Sequence, residues 1–204
     1  MIKKLCTILA MIAFVALPNL SLAQDPETVI EIPDMVMGDE NAPVTVIEYA
    51  SFTCPHCARF EADILPQLKA DYIDTGKIKF VFREVYFDKY GVWASMIARC
   101  AGPERYFGVS KMIFDTQSTW ARAGGDMEIV NELSKIGRMA GLEAEQLQAC
   151  LQDADTLRAL VGWYQTNATN DDISSTPTLI INGEKYSNMP YDELKTILDE
   201  KLGQ

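Results

Sequence analysis

Two cysteines separated by two residues, Cys54 and Cys57, enclose Pro55 and His56, and His56 is the only histidine in the chain. Their chemistry is thiol–disulfide exchange. Sulfurs at this spacing close a small disulfide loop, and at a helix start the first one meets backbone N–H groups that favour a thiolate. A purely structural bridge gains more from closing a long loop, so this pair makes a poor staple. A zinc site wants four ligands, which here would have to come from Cys100, Cys150 or carboxylates beside the single histidine. No metal and no cofactor is expected.

The elements that must position the pair read clearly on either side of it. Residues 44–50 form a strand in which Val44, Val46 and Glu48 share one face and Thr45, Ile47 and Tyr49 the other. Two largely apolar faces describe an interior strand with helices on both sides. Glu48 is then either a strand-end charge reaching solvent or a buried carboxyl. A helix is predicted from Pro55, because Cys57, Phe60, Ile64, Leu65, Leu68 and Tyr72 recur at helical spacing and proline suits a first helical position. That places Cys54 at its N-cap. Pro66 should kink the helix, Thr75-Gly76 should end it, and residues 77–85 read as a second strand.

From about Tyr90 the apolar period becomes helical. Helices are predicted over 92–101 and 104–114, followed by a Ser, Thr and Gly-rich loop to Gly125. Another passes through Ile129, Leu133, Ile136 and Ala140, then a short one over 147–151, and a longer one carries Leu157, Leu160, Val161 and Tyr164. Strand character returns at 177–181, and Asn182-Gly183 is a preferred hairpin turn before a return strand over 184–187. An amphipathic helix with Tyr191, Leu194, Ile197, Leu198 and Leu202 closes the chain. The class is α/β.

Residues 1–23 read as a secretory signal peptide: Lys3 and Lys4, an apolar run over 5–17, and Ser21-Leu22-Ala23 before an expected cleavage after Ala23. The apolar run is too short to span a bilayer. Export is the expectation. The formal net charge of −11 becomes more negative without the two lysines, so nothing basic remains to hold nucleic acid. Cys6 leaves with the signal, and Cys54, Cys57, Cys100 and Cys150 enter a compartment that permits disulfides. Three pairings are conceivable; proximity favours Cys54 with Cys57 and leaves Cys100 with Cys150, each on the apolar stripe of its own helix. Two separate buried free cysteines are the alternative.

The stretch VIEYASFTCPHCARF over 46–60, Thr176-Pro177-Thr178 before a strand, and the helical block between them resemble the DsbA-type thiol–disulfide oxidoreductases. The resemblance covers essentially all of the chain after the signal. It implies a thioredoxin fold with an inserted all-helical domain, divided as signal 1–23, first part 24–90, insertion 91–166 and second part 167–204. Cys54 is then similar to the exposed nucleophile and Cys57 to its buried partner. Within the Pro55-His56 dipeptide, His56 would stabilise the thiolate. Glu48 corresponds to a buried acid behind Cys57 that helps move its proton. Thr176 and Pro177 would form a cis-proline loop that pairs with substrate backbone. The implied function is a monomeric periplasmic oxidase acting on newly exported or unfolded cysteine-containing proteins and reoxidised by a DsbB-like membrane protein. The alternatives are a disulfide isomerase or reductase, or a non-catalytic peptide-binding chaperone. Thr176 replaces the valine of some members, and a second pair such as Cys100 and Cys150 is not universal among them.

Overall fold

The computed structural model describes residues 30–203; the expected signal peptide and its cleavage site lie outside them. The strands are β1 (Met35–Gly38), β2 (Val44–Ala50), β3 (Ile78–Glu84), β4 (Thr178–Ile181) and β5 (Glu184–Ser187). They form one sheet in the order β1-β3-β2-β4-β5. Only β2 and β3 run parallel; the other neighbours are antiparallel. A parallel pair needs a crossover, and the helical run after Cys54 supplies it. Strand β2 is central, and its face of Val44, Val46 and Glu48 lies in the core.

The crossover comprises α1 (Pro55–Arg59), a π-helical turn (Phe60–Ile64), α2 (Leu65–Leu68) and a second π-helical turn (Lys69–Ile73). Pro66 does not break it. Proline has no amide for the carbonyl four residues back, and the ladder widens just before it, with Leu65 N–H bonded to Phe60 C=O.

Between β3 and β4 lie α3 (Lys89–Cys100), α4 (Pro103–Asp115), α5 (Gln117–Trp120), α6 (Asp126–Met139), α7 (Ala144–Gln152) and α8 (Ala154–Asn170). The last helix, α9 (Tyr191–Lys201), packs Leu194 and Leu198 into the core. Helix α3 begins two residues before the expected insertion boundary at 91 because Asp88 caps it, its Oδ1 accepting from Tyr90 and Gly91 N–H at 2.8 and 2.9 Å. Helix α8 continues past the expected end at 166, where Gln165, Thr166, Asn167, Thr169 and Asn170 carry no apolar marker.

Two features tie the helical block to the sheet and to itself. At the end of β3, buried Glu84 accepts from Arg99 Nε and Nη2 at 2.7 and 2.6 Å and from Tyr106 Oη at 2.8 Å. Removing one partner of such a pair strands the other charge, at a cost of about 3–5 kcal/mol. Cys100 on α3 is bonded to Cys150 on α7 with Cα atoms 6.1 Å apart and a sequence separation of 50. By restricting the unfolded chain, a bridge of that span contributes about 2–4 kcal/mol.

Two elements differ from expectation. Strand β1 has no alternating run to announce it: it is four residues long, only Met35 is buried, and its pairing partner β3 defines it. Gly38 ends it at φ +93°, where a Cβ would lie 2.7 Å from Ile78 O. Helix α5 occupies the expected loop after Phe114 and buries Gln117 and Trp120, the indole donating to Ile113 C=O at 2.8 Å. The Asn182-Gly183 hairpin turn has positive φ at both residues, and Asn182 Oδ1 accepts from Thr45 N–H at 2.8 Å.

Candidate active site

Residues 51–54 turn the chain from β2 into the crossover helix. Cys54 N–H donates to Ser51 C=O at 3.0 Å, and Cys54 takes the N-cap position with extended torsions (φ −87°, ψ 118°). Pro55 then opens α1, where no amide is needed. The helical block holds this turn at two points. Asp88 Oδ2 accepts from Thr53 Oγ1 at 2.9 Å, and Gln117 Nε2 donates to Phe52 C=O at 2.8 Å and Cys54 C=O at 3.0 Å.

The loop before β4 faces the cysteines. Its Thr176–Pro177 peptide bond is cis, and Thr176 C=O lies 3.6 Å from Cys54 Sγ. Thr176 Oγ1 is buried without a hydrogen-bond partner while both cysteines are free thiols, so it is available to a thiolate. Cys54 is less open than a surface nucleophile, at 8% exposure beneath this loop, yet Cys57 has only 1%. Attack from solvent can reach Cys54 alone.

The electrostatics are as asymmetric as the access. The Cys54 thiol is lowered to about 5, chiefly by a hydrogen bond from the Cys57 thiol; burial opposes this, and the Thr176 side chain and the backbone N–H groups of Cys57 and His56 add to it. Cys57 is pushed far up by burial, then by its bond to Cys54 and by Glu48. Glu48, 2% exposed with Oε2 unpartnered, is raised well above the carboxylate range, first by burial, then by Glu61 and Cys54. Glu61, in the first π-helical turn, is itself raised to about 7 by burial, which outweighs the opposing pull of Lys111.

The structure thus brings Cys54, Pro55, Cys57, Glu48, Thr176 and Pro177 to one end of the sheet. His56 is there too, but its side chain is exposed and accepts from Arg59 Nη2 at Nδ1, 2.6 Å away; it is the His56 backbone that supports the sulfur. The disulfide Cys100–Cys150 belongs to the helical block. Sequence reasoning missed Glu61, Asp88 and Gln117. Asp88 before a helical pattern was a readable cap, and Phe114, Gln117 and Trp120 continue at helical spacing. Nothing in the sequence points to the acid at Glu61. Among the described residues no cluster of three or more His, Cys, Asp or Glu is arranged to hold a metal.

Residues 31–200 match the thioredoxin family. The chain is 34% identical over 170 residues to a putative protein-disulfide oxidoreductase of Rickettsia conorii, an alignment covering 83% of this chain and 60% of that protein. It therefore spans less than two thirds of that relative. It is 30% identical over 179 residues to disulfide bond formation protein D of Bacillus subtilis, covering 82% of this chain and 76% of the relative. Its fold superposes on the crystal structure of Wolbachia pipientis alpha-DsbA1 with a TM-score of 0.77 at 27% identity, covering 86% of this chain and 94% of that one. Oxidised BdbD of Bacillus subtilis gives a TM-score of 0.72 at 26% identity, covering 84% and 94%. A cysteine pair at a helix start, a facing cis-proline loop and helices inserted into a five-stranded sheet agree with these matches: the chain belongs to the thioredoxin family, among its DsbA-like members.

Proposed function

We propose that the protein is a periplasmic thiol–disulfide oxidase that donates a Cys54–Cys57 disulfide to newly exported or unfolded cysteine-containing proteins. The observation that carries this reading is the opposed tuning of the two thiols, Cys54 lowered to about 5 and Cys57 pushed up. A disulfide oxidises strongly when its reduced form is stable, and a thiolate at Cys54 stabilises that form. Relative to a free cysteine near 8.5, a thiol at about 5 favours the reduced protein by about a hundredfold at pH 7, roughly 60 mV for two electrons.

In the forward reaction a substrate thiolate attacks Cys54 Sγ, forming the mixed disulfide as the Cys54–Cys57 bond breaks. Cys57 leaves as a thiolate in a buried site and takes up a proton, for which the raised Glu48 carboxyl is the nearby source. A second substrate thiolate then attacks the substrate sulfur, and Cys54 departs as its stable thiolate. The substrate has lost two electrons and the protein has gained them. Thr176 backbone offers an extended substrate segment a strand-like partner beside the disulfide, and exposed Phe87 next to Asp88 adds an apolar contact for an unfolded chain. A DsbB-like membrane protein would reoxidise the dithiol, and the protein would act as a monomer.

Mixing the oxidised protein with one equivalent of a reduced, unfolded two-cysteine substrate tests this. Near-complete transfer of one disulfide is expected at pH 7. Substrate thiols left intact would exclude an oxidase, and net reduction of the oxidised substrate by the dithiol form would favour the reductase reading.

A further inference from the structure

We propose that Gln117 is a positioning residue for the nucleophile, an amide supplied by the helical insertion that fixes the turn carrying Cys54. The proposal rests on the thiol–disulfide reading above. Gln117 is 8% exposed on α5, and its Nε2 donates to Phe52 C=O and Cys54 C=O at 2.8 and 3.0 Å. A primary amide has two N–H donors, so both are used. The two carbonyls flank Thr53, and holding both restrains the torsions of Thr53 and Cys54 between them. Those torsions aim Cys54 Sγ.

Cys54 C=O also accepts Ala58 N–H at 3.2 Å, so one oxygen joins the first helical turn to the insertion. Asp88, likewise from the insertion, holds Thr53 from its side chain. The turn is therefore gripped by backbone and side chain from the same body, while β2 feeds it from the sheet. Releasing Gln117 leaves Phe52 C=O without the donor and lets Sγ drift from the His56 and Cys57 N–H groups that support its charge. A buried glutamine that merely satisfied the fold would affect melting and leave the sulfur chemistry alone. That difference makes the proposal testable.

The experiment compares wild-type protein with Gln117→Met, which keeps the volume and removes both donors, and Gln117→Glu, which turns acceptors toward the carbonyls. Each full chain is reduced, its Cys54 pKa is read from thiolate absorbance against pH, and its equilibrium with glutathione is measured. For Gln117→Met the pKa should rise by about one unit and the oxidising equilibrium constant should fall about tenfold, with a larger change in the same direction for Gln117→Glu. A wild-type value near 5 with unchanged pKa and equilibrium in Gln117→Met overturns the proposal, whatever happens to melting. A wild-type value near 8.5 instead overturns the oxidase reading beneath it. Should Gln117→Met not fold, Gln117→Asn, which keeps the amide but withdraws it by one methylene, is expected to show a smaller rise, and no rise there counts against the role.

Discussion

Cys54→Ser is expected to lower disulfide transfer by about a thousandfold or more, because the remaining thiol, Cys57, is both shielded and held in its protonated form. Cys57→Ser has a different expected outcome. Cys54 keeps its solvent access, and the serine hydroxyl can donate to it in place of the thiol, so its pKa stays depressed and its reactivity persists. With no neighbouring thiol to displace a bound partner, mixed disulfides at Cys54 should accumulate on incubation with glutathione disulfide. Mass spectrometry of the two variants gives the comparison: one glutathione adduct on Cys57→Ser and essentially none on Cys54→Ser. Equal adduct formation would mean that the asymmetry of access and charge does not govern reactivity.

Glu48→Gln should separate stability from chemistry. The buried carboxyl has its folded pKa raised, so the folded state holds a proton that the unfolded state releases above about pH 4.5. Stability is therefore lost as pH rises from that value toward the folded pKa. Glutamine cannot ionise and removes this slope. At pH 7 the variant should be more stable by about 1–3 kcal/mol, the size of penalty usual for an unpaired buried polar group, and near pH 4 the two proteins should converge. Proton transfer at Cys57 should slow by about 10²-fold, since a positioned acid or base is typically worth that much. Denaturant unfolding at the two pH values, with stopped-flow kinetics of the reduction step, checks both. A variant no more stable than wild type at pH 7 would place Glu48 outside the role given to it.

The parts of this site that share a local sequence pattern were legible, and those made by distant segments were not. Cys54 and Cys57 announce themselves by spacing, and the apolar face of β2 already made Glu48 either a strand-end charge or a buried group. Its 2% exposure settles that choice: Phe82 and Leu179 flank it on the neighbouring strands. Gln117 lies 63 residues from Cys54, and the run after Phe114 looked like a loop because Thr116, Gln117, Ser118 and Thr119 are polar. Only packing shows that one of them faces inward. Strand β1 escaped notice for a related reason, since an edge strand with one buried residue leaves no period to read. His56 is legible as a residue type, yet its side chain turns to Arg59 and its backbone serves the sulfur, a division that no sequence pattern encodes.

The charge on Cys54 also has a thermodynamic consequence. Its folded pKa is depressed, so the stabilisation of the reduced form is complete above the unfolded value near 8.5 and fades as pH falls toward 5. The most direct test of the whole account is the thiolate absorbance of reduced wild-type protein followed from pH 3 to pH 10, with Cys54→Ser as the blank. A single inflection near pH 5 that is absent from the blank is the predicted result. An inflection near 8.5, or one that survives in Cys54→Ser, would contradict it.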